Sequence, residues 1–313
     1  MQGLILNTDF DWYSFLRDRQ PLDEVNFWQP SGATTFHRTA PGTPVFFKLK
    51  AAHAHAVCGF GIFASASVLP AWLAWDSFGE RNGAATFDAM IFRLEKYRPG
   101  DRRDAAGRYN VGCLMIGSPA FFERSEWIAG PADWKGQTVQ GKAEELQSGE
   151  GARIYRECLA RVQSGAALAQ PMLVADAAPQ ERYGKPTLVM PRVGQGIFRI
   201  AVTDAYARAC AITGEHSLPA LEAAHIRPYS RDGEHRVSNG LLLRSDIHRL
   251  FDKGYVTIDA DRRFLVSSRL KADFENGRSY YPLHGREIHV PKAERDQPSR
   301  EALLWHGDNV FLG

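Results

Sequence analysis

Three short runs hold residue types that could hydrolyse a phosphodiester. They are Leu221-Glu222-Ala223-Ala224-His225-Ile226-Arg227-Pro228, then Asn239-Gly240, then Asp246-Ile247-His248-Arg249-Leu250-Phe251-Asp252. Such a reaction needs a base for water, and an imidazole with an ordinary pKa near 6.5 serves at neutral pH. It also needs a divalent cation against the charge that builds on the phosphate and the departing oxygen. A His and a carboxylate one helical turn apart can hold that cation and leave positions open for water and phosphate. An Asn in a connecting loop can brace the backbone and keep the base aimed.

The elements that must position these groups follow from local pattern. Residues 220–226 suit a short strand, which Pro228 ends because it cannot donate to a sheet ladder. Alternation puts Leu221, Ala223 and His225 on one face and Glu222 with Ala224 on the other. A polar loop runs from Tyr229 to Ser238, and Ser245 is the expected N-cap of a helix. In that helix Ile247, Leu250 and Phe251 form a buried stripe, with His248 and Asp252 four residues apart beside it.

This run resembles the HNH nuclease motif of the ββα-metal fold, with His225 at the first His, Asn239 at the Asn and His248 at the last His. The resemblance implies that His225 is the general base, Asn239 the loop brace, and His248 with Asp252 the side that binds Mg²⁺ or Mn²⁺. Ala224 departs from the pattern, since many members carry a metal-binding Asp or His there. Glu222, on the same strand face, is the candidate substitute.

The whole chain has 313 residues, 44% hydrophobic and 24% charged, which suits an ordinary chain of about two domains. Its net charge of +2 excludes a polycation, but the balance is uneven. Residues 182–313 hold 20 Lys and Arg against 16 Asp and Glu, whereas residues 1–181 hold 18 against 20. The excess lies where phosphate contacts would favour it. Cys58, Cys113, Cys158 and Cys210 are far apart, so neither a disulfide framework nor a common zinc spacing is present and a reducing cytoplasm is expected. No apolar run approaches the roughly 20 residues of a membrane span.

The first half reads as mixed strands and short helices. A helix is expected over 11–19, and strands over 45–50, 56–63 and 109–116. Six of the seven Trp lie before residue 140. Most should be core residues. Asn26-Phe27-Trp28-Gln29-Pro30-Ser31-Gly32, the run 41–48 and Val57-Cys58-Gly59-Phe60-Gly61-Ile62-Phe63 resemble the start of an EVE domain, a PUA-like β-barrel. Pro119-Ala120-Phe121-Phe122, Trp127, Trp134 and Val139-Gln140-Gly141-Lys142 are similar to the N-terminal halves of EVE–HNH endonucleases. That likeness covers roughly residues 1–165. It implies an aromatic pocket for an extruded nucleobase, with Asn26, Trp28, Gln29 and Ser31 as its candidates.

An amphipathic helix over 150–162, with Ile154, Tyr155, Cys158, Leu159 and Val162 on one side, should close this domain. Residues 166–190, with three prolines after Gln170, Ala178 and Lys185, read as a linker. The nuclease half then runs over 191–313, with a helix expected at 198–210 and Arg192, Gln195 and Arg199 placed to meet phosphate. Related nucleases often carry a zinc knuckle at the Cys210 turn, but Thr213 occupies the second position, so no structural zinc is expected. Strands are expected at 254–258 and 264–268.

The expected protein is α+β: a PUA-like EVE barrel over 1–165, a linker over 166–190 and a ββα-metal HNH domain over 191–313. The function it implies is metal-dependent cleavage of double-stranded DNA carrying 5-methylcytosine or 5-hydroxymethylcytosine, as in modification-dependent restriction. One alternative is an HNH nuclease or nickase without modification preference. Another is a non-catalytic reader of modified nucleic acid. A single site per chain that must make two strand cuts suggests a homodimer or sequential nicking.

Overall fold

A computed structural model describes residues 1–32, 36, 38–98, 104–134, 141–164, 194–231 and 233–313. The chain divides into two compact units, Met1–Gly194 and Gln195–Gly313. The expected linker at 166–190 lies outside the described residues. No helix is long and apolar enough to cross a membrane.

In the first unit the order is β1 (Gln2–Thr8), α1 (Phe10–Arg17), β2 (Glu24–Gln29), β3 (Pro44–Leu49), β4 (Val57–Pro70), α2 (Ala71–Phe78), α3 (Phe87–Lys96), β5 (Asn110–Phe121), β6 (Gly141–Glu145) and α4 (Gly149–Ser164). The strands form one six-stranded sheet in the order β2-β5-β4-β3-β1-β6, antiparallel except for the parallel pair β1 and β3. The strand read at 56–63 continues to Pro70, and irregular register between Phe60 and Ile62 and between Phe63 and Ser65 bends it. The expected barrel does not form among the described residues. Among them β2 and β6 are edges that do not pair with each other, so the sheet stays open, because closure needs every edge hydrogen-bonded.

Alternation along β3 sends Phe46 and Phe47 to opposite faces. Phe46 joins Ile5, Val57, Phe60 and Phe122 in a core that the Ile154–Cys158 face of α4 covers. Each such fully buried side chain contributes roughly 1.5–3 kcal/mol. Phe47 faces a second aromatic layer, stacked on Phe121 at 5.3 Å and edge-on to Trp12 at 5.2 Å. Lys48 is buried too. Its Nζ donates to the Leu49 carbonyl at 2.9 Å and lies 4.2 Å from the Trp134 ring, and burial lowers its pKa to about 8.

The second unit contains α5 (Gln195–Ala205), β7 (Leu221–His225), β8 (Gly240–Arg244), α6 (Ser245–Asp252), β9 (Val256–Ile258), β10 (Phe264–Val266), α7 (Arg269–Phe274) and α8 (Arg300–Asn309). The helix expected at 198–210 therefore starts and stops earlier, and the chain turns at Cys210, where the Gly214 N–H donates to the Cys210 carbonyl at 2.9 Å. The pair β7 and β8 is an antiparallel hairpin that matches His225 with Gly240. Ile247 and Phe251 of α6 are buried beneath it. Ser245 is the first helical residue and not the cap: Arg244 takes the cap position and pairs with Asp246.

His306 on α8 is 2% exposed, stacked on Phe251 at 3.7 Å, with Thr257 Oγ1 2.8 Å from Nδ1 and the Phe251 carbonyl 3.1 Å from Nε2. Burial pushes its pKa down to about 4. The unfolded imidazole titrates near 6.5, so between those values the unfolded chain binds a proton that the folded unit does not. The stability from neutral His306 is thus present above pH ~6.5 and lost as pH falls towards ~4, on the order of 2 kcal/mol. Hydrogen exchange at α6 and α8 should reveal this as lower protection at about pH 5 than at about pH 7, after correction for intrinsic rates. His306→Leu should be less protected at neutral pH but show a shallower pH slope; an unchanged slope would remove His306 as the cause.

Candidate active site

His225 ends β7, and what it touches is set by α5 and by the loop that follows. Its ring stacks on Phe198 of α5, centroids 3.9 Å apart and planes within 12°. The hairpin can lie this close to α5 because residue 240 is glycine: a Cβ there would sit 2.5 Å from Val202 Cγ2 and 3.0 Å from Phe198 Cζ. His225 Nε2 is 2.9 Å from His235 Nδ1, and His235 in turn stacks on Tyr229 at 4.7 Å. Burial first, then the nearby His235 and His248, hold the His225 pKa down at about 4. The imidazole is therefore neutral at pH 7, the form a base must have.

Asn239 braces the loop at both ends. Its Oδ1 accepts from the Arg227 N–H at 2.9 Å, while Nδ2 donates to the Arg227 carbonyl at 2.9 Å and the Glu234 carbonyl at 3.0 Å. The main chain adds a bond from the Ile226 N–H to the Asn239 carbonyl at 2.9 Å. A side chain satisfied three times over by backbone fixes where the strand carrying His225 ends.

On α6, His248 lies between two carboxylates. Glu222 Oε2 is 2.7 Å from Nδ1, and Asp252 Oδ2 is 3.4 Å from Nε2. In the tautomer that donates Nδ1–H to Glu222, Nε2 directs a lone pair towards Asp252. A lone pair beside a carboxylate is a place for a cation, and a divalent ion there would replace the proton of an imidazolium. Among the described residues no cluster of three or more His, Cys, Asp or Glu encloses a metal site. His248 and Asp252 thus offer two ligands on an open face, which suits a cation that must also take water and phosphate. Glu222 lies beside the imidazole on the side away from Asp252, as a carboxylate that orients a metal-binding His does.

The other expected residues fall out differently. Arg192 lies outside the described residues, Gln195 is exposed at the first position of α5, and Arg199 is half-buried one turn on. In the first unit Trp28, Gln29 and Ser31 line a cleft of about 350 Å³, together with Asn7, Asp9, Trp12, Phe27, Pro30, Lys50 and Tyr97. Asn26 does not line it. It is fully buried and donates through Nδ2 to Asn82 Oδ1 at 2.9 Å, while its carbonyl accepts from Trp12 Nε1 at 3.3 Å. Trp28 is itself 8% exposed, its indole N–H given to the Asn82 carbonyl at 3.0 Å, so it forms wall more than free platform. Of the residues not anticipated, His235 and Phe198 carried no signal beyond being a loop histidine and a helix aromatic.

If Glu222 orients His248, Glu222→Ala should raise the Mn²⁺ concentration for half-maximal cleavage by about 10–100-fold. Calorimetric titration of Mn²⁺ into the DNA-free protein should show the same loss. Unchanged Mn²⁺ affinity would leave Glu222 with no part in metal binding.

Residues 210–259 match the HNH endonuclease family, a span that contains His225, Asn239, His248 and Asp252. Among solved structures the chain is similar to a modification-dependent TagI restriction endonuclease, at 12% identity over 92% of this chain and 75% of that one. The TM-score is 0.28, too low to carry an argument about fold or function. No curated protein matches the chain. The second unit thus carries an HNH endonuclease domain, and the chain is a nuclease.

Proposed function

We propose that this chain is a metal-dependent endonuclease for double-stranded DNA carrying 5-methylcytosine or 5-hydroxymethylcytosine. The second unit cuts, and the cleft of the first takes the extruded base. The observation that carries the hydrolytic half is the juxtaposition of His225, braced by Asn239, with the His248–Asp252 pair on one hairpin and helix.

In this reading His225 is the base and Nδ1 its reacting atom, because Nε2 faces His235. Water attacks phosphorus, its proton passes to His225 Nδ1, and the bond from phosphorus to the departing oxygen breaks. Nε2–H donates to His235 Nδ1, which keeps the ring aimed and lets positive charge spread as the proton arrives. Phe198 holds the ring plane. A divalent ion held by His248 Nε2 and Asp252 would supply charge neutralisation at the phosphate. Asn239 touches no reacting atom; it is a positioning residue. Arg199 and Gln195, with Arg192, are proposed to meet the DNA backbone, and a second copy of the chain would supply the second strand cut.

The reader half is supported by an aromatic-lined cleft in a unit separate from the cutting site. Extruding a base costs a few kcal/mol, which stacking and edge hydrogen bonds must recover. The first experiment is cleavage of one duplex sequence prepared unmodified, methylated and hydroxymethylated, with Mn²⁺ or Mg²⁺. Modified duplexes should be cut preferentially, and EDTA should stop all cleavage. Trp28→Ala should slow cutting of modified DNA about tenfold or more, whereas Trp28→Phe, which keeps an aromatic wall, should lose much less. His225→Ala should abolish cutting and leave DNA binding in place. Equal cutting of the three duplexes would make this a plain HNH nuclease, and activity in His225→Ala would remove that residue as the base.

A further inference from the structure

Asp9 occupies the N-cap position of α1, yet its carboxylate makes no capping hydrogen bond. Capping is what an aspartate at that position ordinarily does. Its side chain instead turns to Lys50 and Tyr97. Oδ1 accepts from Lys50 Nζ and, at 3.1 Å, from the Tyr97 hydroxyl, and Lys50 Nζ lies 3.2 Å from that hydroxyl. Both bonds fall on one oxygen, and among the described residues Oδ2 accepts none. Asp9, Lys50 and Tyr97 all line the cleft whose apolar side is Trp12, Phe27 and Trp28. The Asp9 side chain is 32% exposed and that of Lys50 52%, so solvent or a ligand reaches both.

We propose that Asp9, held by Lys50 and Tyr97, reads the pairing edge of a 4-aminopyrimidine seated against the aromatic wall. This deepens the base-binding reading of the cleft and rests on it. Oδ2 accepts from the exocyclic N4–H, and the Lys50 ammonium donates to the ring N3 or O2. A 4-oxopyrimidine reverses the pattern: its O4 lone pairs meet the carboxylate and its N3–H meets the ammonium. The cleft therefore separates cytosines from uracils and thymine by edge chemistry, whatever group sits at C5. The lost cap is consistent with this, because a carboxylate bonded to the α1 backbone could not also face the cleft.

The test is equilibrium binding of the full chain, in EDTA to prevent cleavage, to duplexes that differ at one base. The three are 5-hydroxymethylcytosine opposite guanine, 5-hydroxymethyluracil opposite guanine, and unmodified cytosine opposite guanine. The mismatched uracil flips more readily, so any preference for the cytosine works against that advantage. The wild-type chain should bind hydroxymethylcytosine about tenfold or more tighter than hydroxymethyluracil. Asp9→Asn, whose amide can either accept or donate, should bring the two within about threefold, and Tyr97→Phe should shrink the gap part of the way. Equal wild-type binding of the two modified bases, or a full preference that survives in Asp9→Asn, overturns the proposal. The unmodified duplex reports separately on modification: if it binds as well as hydroxymethylcytosine while the uracil is still rejected through Asp9, the edge reading stands and the modification preference falls.

Discussion

The loop between β7 and β8 is closed by one buried amide. Asn239 joins the first residues beyond His225 to the start of the returning strand through both backbone groups of Arg227 and the carbonyl of Glu234. Each such bond is worth about 1 kcal/mol net, and an unpaired partner left behind would cost more. The consequence is geometric. The strand end cannot drift, so the His225 ring stays between Phe198 and His235, and Gly240 opposite it lets the hairpin press onto α5. With an aromatic face and another imidazole as its neighbours, the His225 ring is kept neutral at pH 7 by burial.

On the other side of the proposed centre, one imidazole serves two carboxylates. Glu222 approaches from β7 and Asp252 from α6, each at a different ring nitrogen. This division gives Ala224 a physical context. That strand position offers no carboxylate or imidazole, and the carboxylates beside His248 come from Glu222 and Asp252 instead. The first unit shows a comparable use of an acidic residue, since Asp9 gives up a helix cap to stand with Lys50 and Tyr97 at the cleft.

Much of the hairpin and helix was legible in the sequence, because a short strand stopped by proline, an Asn-Gly and a His/Asp pair at helical spacing each carry their own local physics. Alternation put Glu222 on the strand face of Ala224, but its 2.7 Å contact with His248 Nδ1 joins two elements and has no local signature. Ser245 had the chemistry of a cap, but Arg244 and its pairing with Asp246 moved the helix start by one residue. β1 went unread because a run as short as Leu4-Ile5-Leu6 shows no period that separates strand from helix. The barrel was the largest miss, and the reason is that closure depends on pairing between sheet edges distant in sequence, which no local pattern encodes. Asn26 was misplaced for a simpler cause: an amide can as well satisfy a buried neighbour, here Asn82, as face a ligand.

The most direct test of the proposed centre is to locate the metal. Crystals of the full chain grown with Mn²⁺ and measured at its absorption edge would give an anomalous difference map of the second unit. The arrangement of His248 predicts one peak bonded to Nε2 and to the Asp252 carboxylate, with Glu222 still hydrogen-bonded to Nδ1 and making no bond to the ion. A peak bonded to Glu222 in place of Asp252, or no peak at His248 at saturating Mn²⁺, would contradict it.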